Sequence, residues 1–92
     1  MNTGVRDPKA VDAHYNSGMT HLAKGDYESA ITDFSAVISF NSQTTHAFYH
    51  RAQAHFARGD YAEAIADYSQ AILLNPRFAQ AYRDRGSARR RA

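Results

Sequence analysis

Apolar residues recur every three or four positions from Val11 onward, the spacing of one buried helix face. The first stretch places Val11, His14, Tyr15, Gly18 and Leu22 on its inner side, runs to about Ala23, and stops at Gly25. Asp26 then caps a second helix whose stripe, Tyr27, Ala30, Ile31, Phe34, Val37 and Ile38, continues to about Phe40. After the connector Asn41-Ser42-Gln43-Thr44, a third helix from about Thr45 to Arg58 turns Ala47, Phe48, Ala52, His55 and Phe56 inward and closes on Gly59. Asp60 and Glu63 form a D-x-x-E capping box, and Tyr61, Ala64, Ile65, Tyr68, Ala71 and Ile72 repeat the second stripe. Asn75-Pro76 breaks the chain, because a residue before proline avoids helical geometry. A fifth helix from about Arg77 or Phe78 to Arg90 ends it. Residues 1–7 read as a flexible tail whose last member, Asp7, caps the first helix beside Pro8.

The stripes are copies of one another. Ala23-Lys24-Gly25-Asp26-Tyr27 returns as Ala57-Arg58-Gly59-Asp60-Tyr61, displaced by 34 residues, and residues 11–44 share thirteen identities with residues 45–78. A third start follows, with Ala81, Tyr82 and Gly86 in register with Ala47, Phe48 and Ala52. The expected organisation is one domain over residues 8–91, made of unit one (11–44), unit two (45–78) and a partial third unit or capping helix (79–91). Gly18 and Ala52 on the first helix of each pair, with Ala30 and Ala64 on the second, lack the bulk that would hold two axes apart. Close crossings follow, near the short end of the ~8–10 Å interaxial range.

With Gly18, Tyr27, Ala30, Phe34 and Val37 in unit one and Phe48, Ala52, Tyr61, Ala64, Tyr68, Ala71 and Pro76 in unit two, the pattern resembles the tetratricopeptide repeat. His14, Ser17 and His21 depart from that family's aromatic and leucine positions, and Ser42 stands where a unit often ends in proline. The resemblance implies an all-α, right-handed superhelical stack of five helices in antiparallel pairs, with the first helix of each pair lining a concave groove for a peptide or a partner's helix. Projected onto this chain, the groove takes Asp12, Tyr15, Asn16 and Met19 from the first helix, and His46, Tyr49, His50 and Gln53 from the third. Arg83, Asp84 and Ser87 come from the fifth. Some members of the family hold a chaperone's C-terminal carboxylate with lysines, asparagines and an arginine. The corresponding places here are Tyr15, Met19, His50, Gln80 and Asp84, so that clamp is not expected.

Composition narrows the alternatives. The 92 residues contain no cysteine and no apolar run near the ~20 residues of a membrane span, which favours a cytoplasmic setting. No phosphate-binding glycine loop, nucleophile elbow or cysteine nucleophile is present, so neither an enzyme nor a cofactor is expected. His46 and His50 stand four apart as two zinc ligands would, but nothing in the sequence supplies the third and fourth, so no metal site is expected. Of eleven basic residues, five cluster at Arg83, Arg85, Arg89, Arg90 and Arg91, within a net charge of +2. Arg85, Arg89, Arg90 and Arg91 thus form an alternative basic patch for a nucleic acid or an acidic surface, although Arg85, Arg89 and Arg90 better suit the water-facing outer side of a capping helix. A stack this short buries a limited core, which makes homodimers plausible, either end to end over Tyr82 and Gly86 or by exchange of helices about the proline-free connector at residues 41–44.

Overall fold

The computed structural model describes residues 8–92, and the expected tail with its Asp7 cap lies outside them. Five helices account for these residues: α1 (Pro8–Lys24), α2 (Tyr27–Phe40), α3 (Thr45–Arg58), α4 (Tyr61–Leu74) and α5 (Ala79–Arg91). Each packs on its neighbour in sequence, and α1 also touches α3. The result is a flattened stack measuring 47 × 28 × 17 Å.

The two tight turns explain the repeated glycines. Gly25 and Gly59 have φ of 80° and 86°, the left-handed region where a side chain would be strained. At each turn the residue after glycine donates its N–H back five residues, Asp26 to His21 and Asp60 to His55, both at 2.9 Å. Two otherwise orphaned carbonyls are thereby satisfied, in the manner of a Schellman motif. The connectors after α2 and α4 are also alike. The side chain of Asn41 accepts from the N–H of Gln43, and that of Asn75 from Arg77, so asparagine side chains turn the chain where glycine does not. This turn delays α5 to Ala79, beyond the Arg77 or Phe78 expected from the pattern.

Capping differs between the copies. Asp26 accepts from the N–H of Ser29 at 3.3 Å, as expected. Asp60 makes no side-chain cap, which corrects the expected capping box: its carboxylate lies 3.4 Å from Arg58 Nε and 3.5 Å from His55 Nδ1. A guanidinium at position 58, where unit one has the lysine, draws the carboxylate away from the helix end.

The core has two parts. One is built on Ala30, Phe34, Val37, Ala47 and Ala54, with Val11, Tyr15 and Leu22 packed against it. The other gathers Phe48, Tyr49, Ala52, Ala64, Tyr68, Ala71 and Ile72 with Ala81 and Ala88 of α5. Ile38 touches both and joins them. A Cβ on Gly18 would stand 2.8 Å from the ring of Phe34, which is fully buried, so α1 approaches α2 as closely as a missing side chain permits. His14 departs from the expected inner stripe: it is exposed, with Nδ1 3.5 Å from Asp33.

Between the helices of each unit runs a polar seam. In unit one His21 Nδ1 lies 2.8 Å from Asp33. At the same place in unit two the buried Asp67 is held by Nε and Nη2 of Arg51, at 2.7 and 2.9 Å. A two-pronged bond of this kind satisfies a carboxylate removed from water.

Candidate functional site

The first helices of units two and three leave a cleft between them. Its volume is about 300 Å³, and it is lined by Gln53 and Phe56 of α3, Tyr68 of α4, and Asp84 and Ser87 of α5. It continues into a second hollow of about 320 Å³ bounded by Phe56, Ser87, Arg90 and Arg91. The floor is aromatic, the walls carry an amide, a hydroxyl and a carboxylate, and one end is basic.

An aromatic layer joins the helices that wall the cleft to the rest of the core. Tyr15 meets Phe34 edge-on at 5.8 Å and His50 at 5.9 Å. His50 stacks on Phe34 at 5.6 Å, and Tyr49 lies 4.7 Å from Phe78 and 5.7 Å from Tyr68. The hydroxyl of Tyr49 donates to Asp84 at 2.6 Å, tying α3 to α5, while Gln80 donates to the other oxygen of Asp84 at 3.4 Å. Gln53 is oriented by His50, with Nδ1 2.9 Å from its Oε1.

Burial sets the ionisation of this layer. It raises the Tyr49 phenol well above its ordinary value, with the hydrogen bond and charge of Asp84 adding to the effect. Tyr68 is raised in the same sense, by burial first and by the charge of Asp84 second. Burial also raises Tyr15 and lowers His50, the Gln53 bond opposing it in the latter and the His46 charge adding to it. Both phenols therefore stay protonated further into the alkaline range than a free tyrosine does.

Of the residues assigned to a groove from the sequence, Gln53, Asp84 and Ser87 come together in this cleft. Tyr49 does not line it: only 7% of the residue is exposed, and its hydroxyl is already bonded. Tyr15 and His50 form the half-buried support just described. His46 is exposed and lays its ring 5.5 Å from Phe78. Asp12, Asn16 and Met19 are exposed on α1 away from the cleft, and Arg83 is exposed on α5. Phe56 and Tyr68, the floor, were legible only as core residues, because a buried stripe does not reveal which of its members borders an opening.

The basic patch expected at the end of the chain is divided. Arg85 is half-buried and donates Nη1 to Ser69 of α4 at 3.1 Å, so it turns towards α4 and not towards the cleft. Arg91 lies 5.8 Å over the ring of Phe56, and Arg90 donates to Ser87 at 3.2 Å, which puts both at the mouth of the cleft. Arg89 is exposed. Among the described residues no three His, Asp or Glu side chains converge as metal ligands would, and none of the helices is long and apolar enough to cross a membrane.

No curated protein matches the chain in sequence. Among solved structures, the chain is similar to the TPR2B domain of yeast Sti1 in its complex with pHsp70, at 25% identity and a TM-score of 0.83; the match covers 87% of this chain and 64% of that one. Residues 11–44 and residues 46–78 each match the tetratricopeptide repeat family. With two consecutive matches over most of its length and five helices stacked as that similarity requires, this chain belongs to the tetratricopeptide repeat family.

Proposed function

We propose that this chain is a non-catalytic protein-interaction scaffold that takes an extended peptide in the cleft between α3 and α5. The repeat family and the complex that the similar yeast domain makes with pHsp70 support the interaction role. The cleft itself carries the finer reading. A volume of about 300 Å³ suits one apolar side chain and its backbone, and falls at the small end of the ~300–1,000 Å³ of ligand sites. Phe56 and Tyr68 offer ring faces to that side chain, Asp84 accepts from a peptide N–H, and Gln53 and Ser87 can both donate and accept. Arg90 and Arg91 at the open end favour an acidic residue next in the peptide.

Selection from a displayed peptide library, followed by affinity measurement on the winning sequence, tests this. Ser87→Trp fills the cleft from its α5 wall and should abolish binding while leaving the helical circular dichroism intact. Tyr49→Ala is unsuitable, since it would remove core. Retained affinity in Ser87→Trp would overturn the assignment.

The division of the arginines between two sides of α5 leaves a nucleic acid fewer phosphate contacts than a continuous row would make. Peptide binding is therefore the better supported of the two.

A further inference from the structure

The outer face of α5 is half of an interface whose other half the molecule draws twice. In units one and two, the first helix presents a small residue flanked by basic side chains, and the second helix covers it with an aspartate followed by an aromatic: Asp33-Phe34, then Asp67-Tyr68. The aspartate takes the basic side chains, as Asp33 takes His21 and Asp67 takes Arg51. The aromatic fills the space over the small residue, as Phe34 does over Gly18.

On α5 the same set recurs at Tyr82, Arg85, Gly86 and Arg89, 34 residues beyond Phe48, Arg51, Ala52 and His55. Arg85 repeats the pose of Arg51 closely. Arg51 donates Nη1 to Ser35 at 3.0 Å and lies 5.6 Å over the ring of Phe48, while Arg85 donates Nη1 to Ser69 at 3.1 Å and lies 5.6 Å over the ring of Tyr82. Arg51 spends its remaining edge, Nε and Nη2, on Asp67. The same edge of Arg85 meets no carboxylate among the described residues. Tyr82 is 44% exposed, and a Cβ on Gly86 would find nothing nearer than Arg90 Nη1 at 3.7 Å.

We infer that this face docks an amphipathic helix of another protein that carries aspartate followed by an aromatic. The aspartate seats on the open edge of Arg85 with Arg89 alongside, and the ring lies over Gly86 against Tyr82. Charge excludes a second copy laid two-fold on this face, because Arg85 and Arg89 would then oppose themselves, and the aspartates of α2 and α4 are already engaged. The surface is distinct from the cleft, whose lining residues are Gln53, Phe56, Tyr68, Asp84 and Ser87.

The molecule supplies the probe. A fluorescent peptide of the chain's own residues 60–75, with Ala62→Lys and Ala66→Asp joined as a side-chain lactam at two positions that are exposed in α4, presents Asp67-Tyr68 on a preformed helix. Saturable binding to the 92-residue chain is expected by anisotropy. Asp67→Ala in the peptide should weaken it by about tenfold or more, as loss of a charged two-pronged bond implies. Gly86→Leu in the chain should do the same while leaving its melting unchanged or raised. Arg89→Glu should weaken the native peptide, and the Asp67→Arg peptide should recover part of the loss on that variant. No saturable binding, equal affinity for the Asp67→Ala peptide, or full affinity in Gly86→Leu would overturn the proposal; the last would mean that the peptide had replaced α4 in its own place. A doubled mass of the free chain by light scattering, abolished by Gly86→Leu, would overturn it in favour of a second copy.

Discussion

Gly18 and Gly86 occupy the same place in their units, and the surroundings reverse what alanine would do there. At Gly18 the new Cβ meets a fully buried ring at 2.8 Å. Overpacking of roughly 1–3 kcal/mol then exceeds the ~1 kcal/mol that alanine gains in helix propensity. Gly18→Ala should lose about 1 kcal/mol in urea unfolding, whereas Gly86→Ala, facing open space, should gain about 0.5–1 kcal/mol. His50 gives a second test, in pH. Burial holds its folded value below that of a free imidazole, so between the two values the unfolded chain binds more protons. Stability from the neutral ring is thus present above the ordinary value near 6.5 and declines as pH falls through it to the lowered folded value. The fall in melting temperature from pH 7.5 to 5.5 should be smaller in His50→Gln. An identical fall in both proteins would show that the ring is not held neutral by its surroundings.

Between elements, the same seam is built from different chemistry in the two units. Asp67 is buried and gripped by Arg51, whose side chain is 22% exposed, so Asp67→Ala strands a guanidinium with little access to water. The cost should approach the low end of the ~3–5 kcal/mol seen on breaking buried pairs, read as a shifted urea midpoint. Asp33 meets burial, which raises its carboxyl, but hydrogen bonds from Ser17, His21 and His14 outweigh it and leave the group below the ordinary aspartate value. Its contribution is present above about 3.9 and is lost as pH falls through the lowered folded value, so wild type and Asp33→Ala should converge in stability towards pH 2. Helix ends and stripes were legible here because Gly25, Gly59, Asn41 and Asn75 each act on their own few residues. Asp60 was not, since the choice between capping α4 and pairing with Arg58 depends on a side chain across the turn. Tyr49 was misplaced for a like reason: its partner Asp84 stands 35 residues away and belongs to no repeated pattern.

At the scale of the whole molecule, contacts run almost entirely between successive helices, so stability is a sum of neighbouring interfaces and the terminal ones count as much as the middle. The repeat length made this arrangement legible, but whether α5 is a decorative end or part of the core depends on what it covers. It covers a great deal. Ala81 and Ala88 are wholly buried in the cluster that holds Tyr49 and Tyr68, and Asp84 anchors the Tyr49 hydroxyl. Ending the chain at Phe78 would open both rings to water, at about 1.5–3 kcal/mol for each large side chain uncovered. In a domain of this size each kcal/mol shifts melting by about 4–8 °C, so the truncated chain should melt at least ~10 °C lower when followed by circular dichroism at 222 nm. Tyrosine absorbance should change in step, with Tyr49 and Tyr68 ionising nearer the ordinary phenol range once the cover is gone. If the shortened chain melted within a few degrees of the full one, α5 would be an appendage, and the α3–α5 cleft would have lost the rigidity that a peptide site on its walls requires.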